Sequence, residues 1–311
     1  MGQNSLKTAF IFPGQASQKV GMGEDLYLSN SNVRKSFEVA NDIMGFDFKK
    51  IIFNGPAEIL KKTIYTQPAI YLVSVVIAKI LIKKGVKPQC AAGHSLGEYS
   101  ALTIANAFDF ESGFELVKLR SEAMQSSCEE KDGTMAAVLG LDDAIVEKIC
   151  NDWDSGIVVA ANFNCKGQVV ISGESNSISE ISQKLKEAGA KKILEINVGG
   201  AFHSPLMTSA KDKLKKKLNQ TALNDSSIPV YSNFTSKAVT NKDDILDSLI
   251  NQIDNPVYWH QSITNIRNDG YDNFIEVGPG KVLQTLCKRI DSTLSISGVE
   301  SNHQINELTN V

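Results

Sequence analysis

Three absences narrow the class of protein to which this chain can belong. The cysteines include no close pair, and their odd number argues against a disulfide framework or a Cys-x-x-Cys metal site; they are Cys90, Cys128, Cys150, Cys165 and Cys287. The polar start of the chain lacks the apolar region of a signal peptide, and no apolar run reaches the roughly 18 residues of a membrane span. We therefore expect reduced thiols, no metal site, no membrane association and a cytoplasmic location.

The chain also lacks an excess of basic residues. Its 32 Lys and Arg residues face 35 Asp and Glu residues, which gives a formal net charge of -3 and a pI near 5.9. Such a protein has no general attraction for nucleic acid. With 311 residues, of which 42% are hydrophobic, the chain is long enough for one large domain or for a large domain with a smaller insertion.

One short stretch carries the strongest chemical signal. It reads Gly93-x-Ser95-x-Gly97, the pattern of a nucleophile elbow, in which a serine lies at the apex of a sharp turn from strand to helix. The pattern alone is weak evidence for a catalytic serine, so the predicted elements on either side of it are needed to interpret it. A short strand is predicted over 86–92 and a helix over 96–105, the order that an elbow requires. Ser95 is therefore the candidate nucleophile.

Arg120 is out of place on a predicted helix over 111–125. The positions three and four residues away are all apolar, namely Leu116, Val117, Ala123 and Met124. A guanidinium stays charged and is costly to bury without a partner. Arg120 therefore meets an internal carboxylate, extends to the surface, or lies in a cavity that receives an anion, and the sequence leaves these alternatives open.

Three histidines require separate interpretations. Ser204 and Pro205 are typical of the N-cap and first residue of a helix, so His203 precedes a helix N-terminus. The positive end of that helix favours a neutral imidazole, which suits a general base, although a structural role is also open. His94 and His260 are predicted to be packing, hydrogen-bonding or surface residues.

The order of predicted elements indicates the fold class. Strand, helix, two strands, helix and strand follow one another between residues 134 and 198, which is the βαββαβ unit of ferredoxin-like folds. The rest alternates strands with helices, which indicates a mostly parallel sheet covered by helices. We predict an α/β protein with a large α/β-hydrolase-like subdomain (1–127 and 199–311) and an inserted small ferredoxin-like subdomain (128–198).

Two further segments complete the prediction. Residues 68–82 are apolar on nearly every face, which predicts a helix buried between layers, with Gln67 just ahead of it. The polar tail from residue 300 is expected to be ordered only in part. A glycine-containing loop after a first strand over 8–12 fits neither usual phosphate-binding pattern and is interpreted as a structural turn.

Seven short motifs occur in order along the chain. They are Phe12-Pro-Gly-Gln-Ala-Ser-Gln, Thr66-Gln-Pro-Ala, Gly93-His-Ser-Leu-Gly-Glu-Tyr-Ser-Ala, Arg120, Asn162-Phe-Asn, Phe202-His-Ser and Val277-Gly-Pro-Gly-Lys. Together they resemble the malonyl-CoA:acyl carrier protein transacylase family of bacterial fatty acid synthesis, from about residue 10 to residue 299. Seven motifs in one order are far more specific than any single one.

The resemblance implies a serine and histidine pair without an acidic third member. Ser95 is the implied nucleophile that becomes acylated, and His203 is its general base. The backbone carbonyl of Gln252 orients the histidine. The backbone N–H groups of Gln15 and Leu96 form the implied oxyanion hole.

The resemblance also implies how the acyl group is recognised. Arg120 binds the free carboxylate of the malonyl group, and Gln67 and Asn162 line the same pocket. Phe202 occupies the space that an α-methyl branch would need, which favours malonyl over methylmalonyl groups.

The implied reaction is transfer of a malonyl group from malonyl-CoA to the phosphopantetheine thiol of acyl carrier protein, through a malonyl-serine intermediate and with ping-pong kinetics. No metal or cofactor is implied, and a monomer is the default expectation. Because the carrier proteins of such families are acidic, a basic patch is expected near the pocket mouth. Its candidate residues are Lys191, Lys192, Lys281, Lys288 and Arg289.

Three alternatives remain at this point. A free-standing malonyl-selective acyltransferase serving a polyketide synthase would share the same motifs. A serine hydrolase would need no buried Arg120, and the chain lacks both its His-Gly-Gly-Gly motif and its Ser…Asp…His order. A non-enzymatic scaffold would explain neither the elbow nor Arg120.

Overall fold

A computed structural model describes residues 7–309, which contain two β-sheets. In spatial order, the strands of the larger sheet are Ser295–Val299 (β10), Asn273–Val277 (β9), Thr8–Phe12 (β1), Cys90–Gly93 (β2), Val230–Tyr231 (β7) and Ala238–Val239 (β8). Neighbouring strands are parallel except for the antiparallel pair β7 and β8 at one edge. The predicted mostly parallel sheet is thus confirmed.

The smaller sheet is antiparallel throughout. Its strands, in spatial order, are Val158–Cys165 (β4), Gln168–Gly173 (β5), Thr134–Leu139 (β3) and Lys192–Ile196 (β6). This is the strand order of a ferredoxin-like βαββαβ unit, with the two inner strands supplied by β5 and β3. The predicted α/β class with a second, small sheet is confirmed.

Helices cover both sheets. The α-helices of the described residues are Glu24–Ser29 (α1), Ser31–Met44 (α2), Phe48–Asn54 (α3), Ala57–Leu60 (α4), Thr63–Lys83 (α5), Gly97–Ile104 (α6), Phe110–Glu130 (α7), Asp143–Asn151 (α8), Ser175–Glu187 (α9), Thr208–Leu218 (α10), Lys242–Gln252 (α11), Trp259–Asn268 (α12), Val282–Ile290 (α13) and Asn302–Thr309 (α14). Because α7 runs without a break through residue 128, the division of the chain at residues 128 and 198 stays a prediction.

Helix α5 is the central helix of the core. It begins at Thr63, so Gln67 lies inside the helix, and the prediction that this residue precedes it was wrong. By length and composition alone α5 could cross a membrane, since an 18-residue window of it has a mean hydropathy of 1.6. However, 78% of its most apolar window is buried within the fold, as is typical of a helix between layers.

The described part of the polar C-terminal tail is largely helical. Residues 302–309 form α14, and Ile305 on this helix is buried in the main core. The backbone N–H of Asn302 donates to Oδ2 of Asp25 at 2.7 Å, which fixes the start of the helix. One buried apolar side chain and one polar anchor therefore outweigh the polar composition of this tail. The polar start of the chain, residues 1–6, and the end of the tail, residues 310–311, lie outside the described residues.

The parallel pairing of β1 and β2 determines where the site forms. Phe12, the last residue of β1, lies beside Gly93, the last residue of β2. The loops that follow these strands therefore leave the same edge of the sheet, where open α/β sheets bind their ligands.

Candidate active site

The turn after β2 is a tight nucleophile elbow. Ser95 has a φ of 52°, in the left-handed region that few non-glycine residues adopt. A Cβ atom on Gly93 would lie 1.9 Å from the carbonyl carbon of Gly97. One on Gly97 would lie 2.1 Å from the carbonyl oxygen of Phe12. Both glycines are therefore required by close backbone approach, which explains the Gly-x-Ser-x-Gly pattern sterically.

Asn233 holds the elbow from the segment that follows the neighbouring strand. Its Oδ1 accepts a hydrogen bond from the backbone N–H of Ser95 at 2.6 Å, and its Nδ2 donates to the carbonyl oxygen of Gly93 at 2.6 Å. Asn233 follows β7, which pairs with β2. The strained turn is thus clamped on both sides of His94 by one side chain. Nothing in the sequence near Asn233 indicated this role.

His203 lies beside the nucleophile. Its Nε2 is 2.8 Å from Oγ of Ser95, and its Nδ1 is 2.8 Å from the backbone carbonyl oxygen of Gln252. A carbonyl oxygen only accepts, so Nδ1 carries the proton and donates it to Gln252. Nε2 is then free to accept the hydroxyl proton of Ser95. The structure thus brings Ser95, His203 and the backbone carbonyl of Gln252 into one hydrogen-bonded chain.

The electrostatic surroundings keep His203 neutral. Burial, and next the positive charge of Arg120, lower the pKa of His203 to about 3. The sequence attributed a neutral imidazole to the helix after Ser204, whereas burial is the largest cause. The segment after Ser204 begins as a short 3-10 helix, Pro205–Met207, and the Ser204 side chain accepts a hydrogen bond from the backbone N–H of Leu206.

Arg120 is buried, with 1% of its surface exposed, and extends from α7 toward the nucleophile. Its Nη1 donates to Oε1 of Gln67 at 2.6 Å, and its Nη2 donates to Oγ of Ser95 at 3.0 Å. Nη2 also donates to Oε1 of Gln252 at 2.9 Å. These acceptors are neutral, and no carboxylate among residues 7–309 forms an ion pair with Arg120. Of the three alternatives left by the sequence, a cavity that receives an anion fits best.

A cavity of about 340 Å³ joins these groups. The predicted site residues that line it are Gln15, Gln67, Ser95, Leu96, Arg120, Asn162, Phe202 and His203. Gln252 lies behind the wall and reaches the site through its hydrogen bonds. Asn162 comes from an irregular position of β4, so the small sheet closes the cavity over the elbow.

Two backbone N–H groups are available at the cavity. Those of Gln15 and Leu96 have no hydrogen-bond partner in the part of the chain that the structure describes. The backbone N–H of Ser95, by contrast, is engaged by Asn233. Gln15 follows β1 and Leu96 follows the nucleophile, so both lie at the sheet edge where β1 and β2 end. This arrangement can receive an oxyanion formed next to Ser95.

The structure also reveals a buried carboxylate that the sequence prediction missed. Glu98 is 1% exposed, and its Oε2 accepts hydrogen bonds from Nε2 of Gln252 at 2.7 Å and from the backbone N–H of Asn233 at 3.1 Å. Burial raises the pKa of Glu98 to about 7. Glu98 is the one charged residue in the helix predicted over 96–105, and a single charge on that helix was the sequence signal that could have identified it.

The other two histidines differ in their surroundings. His94 is packed against Trp259 and its Nε2 is 2.9 Å from Oδ1 of Asn164, in agreement with a packing and hydrogen-bonding role. It also contributes to the cavity wall. His260 is partly exposed, and its Nδ1 is 3.7 Å from Oδ2 of Asp143. Among the described residues, no group of three or more His, Cys, Asp or Glu side chains could hold a metal ion.

Several known proteins resemble this chain over nearly its whole length. The acyl transferase domain family matches residues 9–305. The malonyl CoA-acyl carrier protein transacylase of Escherichia coli (strain K12) is 43% identical, with 94% of this chain and 95% of that protein covered. The protein of the same name from Bacillus subtilis (strain 168) is 38% identical, with 95% of each chain covered.

Solved structures agree with this assignment. The malonyl CoA-acyl carrier protein transacylase of Coxiella burnetii has a TM-score of 0.94 at 35% identity, with 98% of this chain and 97% of that chain covered. A type II polyketide synthase acyl-carrier protein in complex with its malonyl-transacylase gives a TM-score of 0.93 at 38% identity, with 98% and 100% covered. The chain belongs to the acyl transferase domain family, within its group of malonyl CoA-acyl carrier protein transacylases.

Proposed function

We propose that this protein transfers a malonyl group from malonyl-CoA to the phosphopantetheine thiol of acyl carrier protein, through a malonyl ester on Ser95. One observation carries the proposal. A buried guanidinium without a carboxylate partner, that of Arg120, lies 3.0 Å from the Oγ atom of a serine that is paired with a neutral histidine. The names of the related proteins support the same reaction.

The first half-reaction acylates the serine. His203 Nε2 accepts the hydroxyl proton as Ser95 Oγ attacks the thioester carbonyl carbon. The carbonyl oxygen becomes an oxyanion, which the N–H groups of Gln15 and Leu96 stabilise. When the tetrahedral intermediate collapses, the carbon–sulfur bond breaks. The imidazolium of His203 then returns its proton to the coenzyme A thiolate, which leaves.

The second half-reaction reverses these steps with a different thiol. The pantetheine thiol of the carrier protein gives its proton to His203 and attacks the ester carbonyl carbon of malonyl-Ser95. The same N–H groups hold the oxyanion. The carbon–oxygen bond to Ser95 then breaks, and His203 returns the proton to Oγ. Because one serine serves two thioesters in turn, the kinetics are ping-pong.

Arg120 selects the acyl group. The planar guanidinium can grip a carboxylate with two parallel N–H donors. A neutral acyl group such as acetyl would leave the buried donors without that partner, and well-built sites reject such ligands by a factor of about 10⁴. Phe202, which is 6% exposed, lines the same cavity as Ser95, which supports a preference for malonyl over methylmalonyl.

The carrier protein is proposed to dock where α13 begins. Val282, at the start of this helix, lines the cavity and is 46% exposed. Nearby, Arg289 donates to Oε1 of Gln168, another lining residue, at 2.5 Å. Lys281, just before this helix, and Lys288, next to Arg289 in the sequence, are also exposed. These cations suit an acidic partner. We also propose that the protein is a monomer and is located in the cytoplasm.

A second acceptor is also supported. One related solved structure contains a type II polyketide synthase acyl-carrier protein with its malonyl-transacylase. Service to a polyketide synthase carrier would use the same chemistry on Ser95. Transfer rates from the malonyl enzyme to a fatty acid carrier and to a polyketide carrier, each with its pantetheine arm, would separate the two functions.

Intact mass spectrometry tests the proposal. Malonyl-CoA is expected to add one malonyl mass to the wild-type protein within the mixing time, acetyl-CoA to add mass far more slowly, and Ser95→Ala to remain unmodified. Addition of a carrier protein should remove the malonyl mass and increase the mass of the carrier. Release of free malonate as fast as transfer to the carrier would instead indicate a serine hydrolase.

A further inference from the structure

Two buried groups of opposite charge lie on either side of one amide in this protein. Arg120 Nη2 donates to Oε1 of Gln252 at 2.9 Å, and Nε2 of the same amide donates to Oε2 of Glu98 at 2.7 Å. Arg120 and Glu98 are each 1% exposed, and Gln252 is fully buried. The carbonyl end of the amide thus faces the cation, and its NH₂ end faces the anion.

The amide takes the place of a direct ion pair. Had Glu98 contacted Arg120, its carboxylate would occupy the guanidinium donors that a substrate carboxylate needs. With Gln252 between them, Glu98 offsets part of the buried positive charge while those donors bond only to neutral acceptors. Such acceptors can be exchanged for a substrate carboxylate at a smaller electrostatic cost.

Gln252 also contacts the general base, His203. The backbone carbonyl oxygen of Gln252 accepts from Nδ1 of His203 at 2.8 Å, and Nε2 of its side chain donates to the carbonyl oxygen of Ser95 at 2.9 Å. Glu98 further accepts from the backbone N–H of Asn233, which clamps the elbow. One carboxylate therefore anchors the residue that connects nucleophile, base and cation.

We propose that Glu98 is a positioning residue: through Gln252 it orients His203 and Arg120, and its charge moderates the attraction of Arg120 for the substrate carboxylate. This inference rests on the proposed function, because the substrate carboxylate is the ligand on which the charge acts. Glu98 makes two contributions that can be measured separately. Its hydrogen bonds affect the acylation rate with any acyl group, whereas its charge affects only binding of acyl groups that carry a carboxylate.

Glu98→Gln removes the charge and keeps the shape. The two N–H donors that converge on Oε2 require an acceptor there, so the new side chain is held with its carbonyl oxygen in that position. Acylation of Ser95 in single turnovers gives a half-saturation concentration and a limiting rate. It is followed by intact mass at about pH 8, above the pKa of about 7 to which burial raises Glu98.

Glu98→Gln is expected to lower the half-saturation concentration for malonyl-CoA at least about threefold relative to that for acetyl-CoA, because only the malonyl group carries a carboxylate. Its limiting rates should change by the same factor with both thioesters, since the charge of Glu98 acts on binding of that carboxylate. A smaller relative decrease with malonyl-CoA, no change, an increase, or an equal change of both half-saturation concentrations would overturn the role of the charge.

Glu276→Gln is the matched control. Glu276 is a second fully buried carboxylate, and it accepts from the backbone N–H groups of Leu283 and Gln284 rather than from Gln252. Its replacement should leave the ratio of the malonyl-CoA and acetyl-CoA half-saturation concentrations unchanged. A shift of that ratio equal to that in Glu98→Gln would show that any buried carboxylate has this effect, and would overturn the proposal.

Glu98→Ala tests the hydrogen bonds. It leaves Nε2 of Gln252 and the N–H of Asn233 without their acceptor, so the limiting acylation rate should fall at least about tenfold with both thioesters. A limiting rate equal to wild type would overturn the positioning role, and if this variant does not fold, Glu98→Gln still tests the role of the charge. Failure of the wild-type protein to form malonyl-Ser95 would contradict the proposed function itself, which distinguishes the two failures.

Discussion

The Nε2 atom of His203 lies 2.8 Å from the Oγ atom of Ser95, and both residues adopt left-handed backbone conformations, with φ values of 57° and 52°. Such conformations cost free energy for residues other than glycine, so contacts with the surrounding structure must stabilise them. Asn233 does this for the serine and the carbonyl of Gln252 for the histidine. The pair is therefore in hydrogen-bonding contact before any thioester binds.

Replacement of the base should remove acylation. His203→Ala is expected to slow acylation of Ser95 by malonyl-CoA about 10²- to 10⁴-fold, because no other group among the described residues accepts the hydroxyl proton. Intact mass against time measures this rate. His260→Ala is the matched control and should keep most of the wild-type rate, since His260 faces Asp143 instead. The reverse result for the two variants would contradict the assignment.

The pH dependence of acylation should reflect the low pKa of His203. At saturating malonyl-CoA, the limiting rate should not fall with a midpoint near the ordinary value of 6.5, because the pKa of His203 is lowered to about 3. The same shift affects stability. A folded-state pKa below the unfolded value gives a contribution that is complete above pH 6.5 and is lost as the pH falls toward 3. A rate profile with a midpoint at the ordinary value would contradict a buried, neutral histidine.

Arg120 should determine the preference for a charged acyl group. Arg120→Ala is expected to lower kcat/KM for malonyl-CoA about 10³-fold or more and that for acetyl-CoA much less, because only malonyl loses a bidentate partner. Arg120→Lys keeps a charge but not the planar fork, so its activity should be intermediate. Steady-state transfer to a carrier protein measures both. An equal loss with both thioesters would indicate a structural role for Arg120.

Phe202 should limit the size of the acyl group. Phe202→Ser is expected to raise the ratio of methylmalonyl to malonyl acylation of Ser95 about tenfold, because it opens space beside the reacting carbon. Competition between the two thioesters, read by intact mass, gives this ratio directly. An unchanged ratio would mean that Phe202 does not occupy the position of the methyl branch.

The elbow should not tolerate a methyl group. Gly97→Ala is expected to lower the free energy of unfolding by about 1–3 kcal/mol or more and to abolish acylation, since its Cβ would lie 2.1 Å from the carbonyl oxygen of Phe12. Gly199→Ala is the control, because its Cβ would meet nothing closer than 3.7 Å. Chemical denaturation checks both variants. Wild-type stability of Gly97→Ala would refute the steric explanation of the motif.

Much of the fold could be predicted because its signals are local. Alternating strands and helices led to the mostly parallel sheet, and the order of elements between 134 and 198 led to the small antiparallel sheet. The last helix of the described residues was not predicted. Its polar composition suggested partial order, but burial of Ile305 against the main core depends on distant helices that local composition does not reveal.

The candidate site divides in the same way. The sequence indicated the elbow, because Gly93 approaches the backbone of Gly97 within the same turn, and it marked Arg120 by the apolar residues around it. Only the tertiary structure decided how the charges are arranged. Glu98, Asn233 and the side chain of Gln252 come from separate segments, and their hydrogen bonds form when α6, α11 and the residues after β7 meet. Long-range contacts of this kind leave no periodic or local pattern in the sequence, so they could not be predicted from any single stretch of the chain.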